Sequence, residues 1–442
     1  MWKYKERNYD LLSIETSNVV LDIINSLKIQ YKDSEKVISF YRDNDYDDFE
    51  LCTLASGVPG ICILINELEE LFPNENWEQV GHQYMTYLQF LINNGNIYSI
   101  SLWNGLSGVG MAVLFLSKKN QRYDKVIATI NKFIINHLEE FIEDSRKKLS
   151  GNVEMYDYDV IEGLSGIGRY LLNFNSTETE KAVREILRYL VDLTKEFEYE
   201  NYNIPGWYIS KDNQFLENEK EEFPLGNFNL GLSHGIAGPL ALLSQAYNMG
   251  IHVEEHMISI QKIVLFYKKW AEEDRAGVVW PNRLKLEELI EVNLESIALN
   301  NESWCYGIPG IINSLYLSSL ATKDLELEEY SLEIVKQMMT RSDKMWSIHS
   351  PSFCHGYTGL LNTYLNFYKH TGNQEFKEGI EIVLDKIIKE YQPELTYGFL
   401  DKDHRGTREH PGLLLGTAGV LLVLISLLKE EIPDWNQVFL LS

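Results

Sequence analysis

The sequence of 442 residues predicts an all-α fold, a single domain over 1–442. Seven helical hairpins would close into a double ring of about fourteen helices, with a small strand-containing extension at 198–229. Three observations lead there. A Gly-x-x-Gly step opens an apolar segment in seven places, amphipathic segments lie between these blocks, and one long stretch breaks the pattern.

The blocks are "ASGVPGICILI" (Gly57, Gly60), "WNGLSGVGMAVLFL" (Gly105, Gly108), "IEGLSGIGRYLL" (Gly163, Gly166), "LSHGIAGPLALL" (Gly235, Gly238), "WCYGIPGIINSLYL" (Gly307, Gly310), "CHGYTGLLNTYL" (Gly356, Gly359) and "GLLLGTAGVLLVLI" (Gly416, Gly419). Their first glycines are 48, 58, 72, 72, 49 and 60 residues apart, room for two helices and their connections in each repeat. Glycines at i and i+3 ahead of a helix allow a tight turn and let neighbouring helices approach. Such turns also cradle phosphate in other folds, but no Lys-Ser/Thr follows here as in a P-loop.

Between the blocks, "ETEKAVREILRYLVDLTKEF" and "EFKEGIEIVLDKIIKEY" repeat apolar residues at three- and four-residue steps, with charges on the other face. Each repeat thus pairs an amphipathic helix with one that is apolar nearly all round, and the economical packing puts the apolar helices inside. On this reading 412–428, 17 residues without a charge, is an inner helix and not a membrane span. Residues 198–229, "EYENYNIPGWYISKDNQFLENEKEEFPLGNFN", have aromatics, Pro and Gly and no helical period, so strands or an extended excursion are expected there.

A net charge of −25 disfavours nucleic acid and anionic membrane surfaces and attracts cationic peptides. Four cysteines in this length form no disulfide framework, and "MWKYKERNYD" has no apolar signal core, so the cytoplasm is the expected compartment.

If the loops ahead of the apolar helices gather at one end, residues just upstream of the glycine pairs become neighbours. Those positions hold Asp159, His234, Trp304, Cys305, Tyr306, Cys354 and His355. Cys305, Cys354 and His355 are the right ligand types for one zinc ion with an open fourth position. The alternative, cysteines serving as small apolar core residues, stays open because no CxxC is present. For Cys52 and Cys62, which no histidine accompanies, packing is the expectation. A histidine bonded within a crowded turn is the plain alternative for His234, and a helix cap that for Asp159.

The seven blocks, "GLSHGIAGPLALL", "SWCYGIPG" and "SFCHGYTGLL" resemble the lanthionine synthetase C-like family over nearly the whole chain, and within it the lantibiotic cyclases of the nisin and subtilin type. The resemblance implies a seven-fold α/α toroid, zinc held by Cys305, Cys354 and His355, and cyclisation of a precursor peptide. In that reaction a cysteine thiol adds to dehydroalanine or dehydrobutyrine, giving lanthionine or methyllanthionine thioether rings. It implies His234 for acid/base work, Asp159 beside it and Tyr306 after the first zinc cysteine as catalytic residues, with Trp304, Asn301 and Arg283 as substrate-binding positions. Cyclases of this type usually carry an arginine where this chain has Asn301, and Arg283 in "WPNRLK" is the candidate to supply that charge. The implied partners are the dehydrated precursor, a dehydratase and an ABC transporter at the membrane. Two other functions fit a helical ring with such residues: a non-catalytic zinc-containing scaffold for peptides or glutathione, and a zinc-dependent thiol alkyltransferase of the prenyltransferase type.

Overall fold

The computed structural model describes residues 11–118, 122–293, 302–341, 345–403 and 406–442. Each apolar block becomes a helix: Val58–Leu71, Leu106–Leu116, Leu164–Leu171, Ala237–Asn248, Ile308–Thr322, Tyr357–Thr371 and Thr417–Leu427. These glycine helices are apolar nearly all round because they are packed on all sides. In Thr417–Leu427 every residue is buried, which disposes of the apparent membrane segment. None of the described helices is long and apolar enough to cross a membrane.

The amphipathic segments form the second helices of the hairpins. In Thr177–Leu193, Ser176 caps the first turn by accepting from the Thr179 amide. Ala182, Val183, Ile186, Leu187, Leu190 and Leu193 are buried, while Arg184 reaches back one turn to Glu180 at 2.6 Å on the solvent side. Phe376–Glu390 buries Ile380, Val383, Leu384 and Ile387 by the same spacing.

The chain divides into two compact units. One comprises the residues up to Asn96 together with His349–Asp434, the other Ile97–Ile348 together with Trp435–Ser442. In the first unit, helices Tyr357–Thr371, Thr417–Leu427 and Val58–Leu71 are successive neighbours, and Ile14–Tyr31 packs on Thr417–Leu427, supplying the last block with its second helix. In the other, Leu106–Leu116, Leu164–Leu171, Ala237–Asn248 and Ile308–Thr322 follow one another in chain order.

The second glycine of a block makes room for the loop of the block before it. A Cβ on Gly166, Gly238 or Gly310 would stand 2.6 to 2.8 Å from a side-chain carbon of Leu102, Val160 or Leu232 in the preceding loop, and one on Gly60, in the first block, 2.5 Å from Leu413 in the loop of the last. Backbone hydrogen bonds run along the same seam: Trp103 donates to Ile161, Val160 to Ser233, Leu232 to Cys305, Cys354 to Leu414 and Leu414 to Ala55, all at 2.9 to 3.1 Å. Within each unit, therefore, the loops ahead of the glycine helices stand side by side at one end. The expected gathering of loops rests on this stitching.

Four two-stranded antiparallel sheets interrupt the helices among the described residues. Glu196–Tyr199 pairs with Tyr202–Pro205, starting two residues before the stretch expected to leave the helical pattern. Asn227–Asn229 pairs with Arg283–Lys285, so Asn229 faces Arg283 across the ladder. The hairpins Glu272–Asp274 with Gly277–Val279 and Leu400–Asp403 with Gly406–Glu409 had no sequence signal, since three or four residues carry too little alternation to read. From Trp435 the chain returns to the second unit, where Phe439 is fully buried against Trp103 and Trp304.

Candidate active site

In the second unit, three consecutive loops bring Asp159, His234 and Tyr306 together. Asp159 follows the short helix Met155–Tyr158 and is fully buried. Its Oδ1 accepts from the amides of Glu162 and Gly163 at 2.7 and 2.8 Å, shaping the turn into the next glycine helix. These bonds build the turn ahead of the helix, whose N-cap is Gly163, and they leave Oδ2 aimed at His234, whose Nδ1 stands 2.6 Å away. A carboxylate only accepts, so Nδ1 carries a proton, and in the neutral imidazole the lone pair is on Nε2. The His234 side chain is 23% exposed, so the imidazole is partly open to solvent.

Two rings flank the imidazole, Phe215 at 5.8 Å and Tyr306 at 6.4 Å between centroids. The Tyr306 hydroxyl accepts from Asn229 Nδ2 at 3.1 Å. Removal from water pushes the phenol above its ordinary value, and the Arg283 guanidinium pulls the other way. Arg283 lies 5.3 Å over the Tyr306 ring, donates to Glu219 at 3.2 Å and reaches the Met155 sulfur at 3.1 Å. The strand pairing of 227–229 with 283–285 is what carries this guanidinium to the loop of Tyr306. Asn301, expected to contribute to the same place, lies outside the described residues.

Cys305 is partly exposed, its carbonyl accepting from Leu232 and Ser233, with the Ser303 hydroxyl 3.7 Å from its sulfur. A bridge between Glu302 and Gly307 closes this loop, and Gly307 takes a φ of 129°, which disfavours any side chain. Beneath it Trp304 is 1% exposed, donating to the Phe439 carbonyl at 3.1 Å, so it supports the loop from the core. Glu302 is fully buried and meets Arg341 at 3.2 Å, and Arg341 also grips Asp274 with two bonds of 2.8 and 3.0 Å.

In the first unit, Cys354 is partly exposed on the loop stitched to Leu414, and His355 follows it. His355 Nε2 faces Asp401 Oδ1 at 3.5 Å. Burial works to raise the Asp401 carboxyl, yet the neighbouring His355 imidazole and the bond from Ser350 leave it below its ordinary value. By contrast Cys52 and Cys62 are buried thiols, Cys52 pushed up to about 12 chiefly by burial and Cys62 pushed up by burial alone. They are packing residues, as expected.

Among the described residues, no group of three or more His, Cys, Asp or Glu side chains stands together in a metal-holding cluster. Cys305 belongs to one unit and Cys354 with His355 to the other. The donor set itself suits zinc: two sulfurs and an imidazole turned toward a buried carboxylate, whose Oδ2 has no hydrogen-bond partner among the described residues. Sequence reasoning missed Asn229, Glu302, Arg341 and Asp401, since no motif marks them and only folding brings them to these loops.

The chain belongs to the lanthionine synthetase C-like family, whose model matches residues 48–440. By class it is a lanthionine synthetase, an enzyme that forms thioether bonds, which removes the prenyltransferase and non-catalytic scaffold readings. It is 29% identical over 418 residues to nisin biosynthesis protein NisC from Lactococcus lactis subsp. lactis, covering 92% of this chain and 94% of that protein. The solved structure of nisin cyclase matches with a TM-score of 0.79 at 28% identity, over 92% of this chain and 96% of the other. That likeness bears out the predicted fold class, the all-α toroid.

Proposed function

We propose that this chain is a zinc-dependent lantibiotic cyclase that closes (methyl)lanthionine rings in a dehydrated precursor peptide by Michael-type addition. The observation that carries the reading is the Asp159–His234 pair beside Tyr306, on loops stitched to the one that bears Cys305. Cys305, Cys354 and His355 would hold the ion. Zinc bound there would favour the thiolate form of a substrate cysteine near neutral pH.

His234 Nε2 takes the thiol proton as the sulfur attacks the β-carbon of the dehydro residue. A C–S bond forms, the C=C π pair moves to the α-carbon and its carbonyl as an enolate, and the proton held on His234 then passes to the α-carbon. Nothing is oxidised or reduced, and peptide atoms are conserved. Asp159 holds the imidazole in the receiving tautomer and stabilises the imidazolium. The Tyr306 hydroxyl and the Arg283 guanidinium are the donors available to the enolate oxygen, a charge best met by preset dipoles. Burial favours the neutral, donating phenol at working pH.

The formal charge of −25 supports a cationic peptide as substrate. Dehydration must precede this step, so the partners on this reading are a dehydratase and an ABC transporter, with the cyclase cytoplasmic and held at the membrane only through them. The test is incubation with a dehydrated precursor, counting free thiols by alkylation and mass spectrometry, with and without a chelator. Thiol loss that stops on chelation and returns with zinc is expected. Undiminished thiol loss in chelated, metal-free protein would sink the zinc dependence, and no thiol loss at all would sink the cyclase reading.

A further inference from the structure

Asp401 sits on the strand Leu400–Asp403, just ahead of the last glycine block, and is 3% exposed. A buried carboxylate needs partners, and each of its oxygens has a distinct situation. Oδ1 accepts from the Ser350 hydroxyl at 2.7 Å and faces His355 Nε2 at 3.5 Å, the outer edge of hydrogen-bonding range. Among the described residues, Oδ2 is buried without a hydrogen-bond partner. Ser350 is itself fully buried and anchors the loop that carries Cys354 and His355, its oxygens receiving the amides of Ser352 and Tyr357 at 3.1 and 2.9 Å. So the group that faces the imidazole is built into the loop that presents it, and an ion-free core gains nothing from an under-bonded carboxylate at this place.

We propose that Asp401 is a positioning residue for zinc: fixed by Ser350, it takes the Nε2 proton of His355 in a hydrogen bond, so that Nδ1 is left as the donor atom for the metal. The proposal rests on the zinc reading above. A carboxylate behind a ligating histidine fixes ring orientation and tautomer and raises the basicity of the nitrogen that binds. Losing it costs about 10- to 100-fold in metal affinity by the usual effect of such partners.

The full-length D401N and S350A variants, with wild type, are titrated with zinc against a chromophoric chelator, and the cobalt(II)-substituted proteins are compared by absorption. In D401N zinc affinity falls about 10- to 100-fold and the cobalt bands shift, while metal-free thermal stability changes little. S350A keeps the charge but frees the carboxylate, and gives a smaller loss of the same sign. A structural role alone would lower the metal-free melting temperature and leave affinity and spectrum unmoved, which overturns the proposal. If D401N does not fold, S350A decides, and unchanged zinc affinity in S350A overturns it. Wild type that takes up one zinc while D401N binds equally well defeats this inference and leaves the zinc reading standing; wild type that binds no zinc defeats both.

Discussion

Replacing Asp159 by Asn alters a single atom type in the most tightly determined part of the site. The Asp159 Oδ1 already holds two amides, Glu162 and Gly163, at 2.7 and 2.8 Å. An asparagine keeps those bonds by leaving its carbonyl oxygen in place, which turns its NH2 toward His234 Nδ1. An amide NH2 donates, so Nδ1 must accept and the imidazole proton moves to Nε2. The nitrogen that should receive the thiol proton is then occupied, and the imidazolium loses its 2.6 Å counter-ion. General-base catalysis of this kind is worth about 10²- to 10⁴-fold, so D159N should lose about 3 to 5 kcal/mol of barrier lowering. The turn is retained, so the melting temperature should move by only a few degrees. Single-turnover thiol consumption with a dehydrated peptide, followed across pH, measures this directly. A folded D159N that cyclises at the wild-type rate refutes the tautomer argument and the role of His234 as base.

Other predictions follow from the frame around the site. Arg341→Ala removes a fully buried guanidinium from its two bonds to Asp274 and from Glu302 and should cost about 1.5 to 3 kcal/mol in urea unfolding; an unchanged urea midpoint would show that the network does not hold the Cys305 loop. Gly166→Ala drives a Cβ to 2.8 Å from the Leu102 side chain and into the Val160 carbonyl. It should cost about 1 to 3 kcal/mol or more by overpacking, read as a lowered urea midpoint, and an unchanged midpoint contradicts the seam. His256, 2% exposed and donating from Nε2 to Leu243 at 2.9 Å, is pushed down to about 4, chiefly by burial. The unfolded chain therefore binds a proton that the folded chain refuses between pH 6.5 and about 4, so the stability contributed by neutral His256 is complete above pH 6.5 and is lost as pH falls through that window. The loss amounts to about 3 kcal/mol near pH 4. Glu302, raised by burial to about 8, works in the opposite sense, its contribution complete below pH 4.5 and lost as pH rises through about 8. The comparison of wild type with H256Q isolates the histidine: the difference in stability should change between pH 7 and pH 4.5, and parallel curves contradict it.

The sequence determined the repeat. Periodicity and a recurring Gly-x-x-Gly step are local signals, and a helix that is apolar on every side has to be packed on every side, so the glycine helices and their amphipathic partners were legible from residue types alone. It also marked Asp159, His234 and Tyr306, because polar residues stand where a packing turn needs none. What only the tertiary structure decided is which groups meet them. The hydrogen bonds from each loop to the next bring positions 75 residues apart to within 2.6 Å, and no spacing along the chain encodes that distance. Arg283 reaches Tyr306 because a three-residue strand pairs with Asn227–Asn229, and Asp401 reaches His355 from the start of a hairpin of two four-residue strands. Strands that short have too little alternation to be read and are fixed by the surface they pack on, so the second layer of the site appears only once the helices have built that surface.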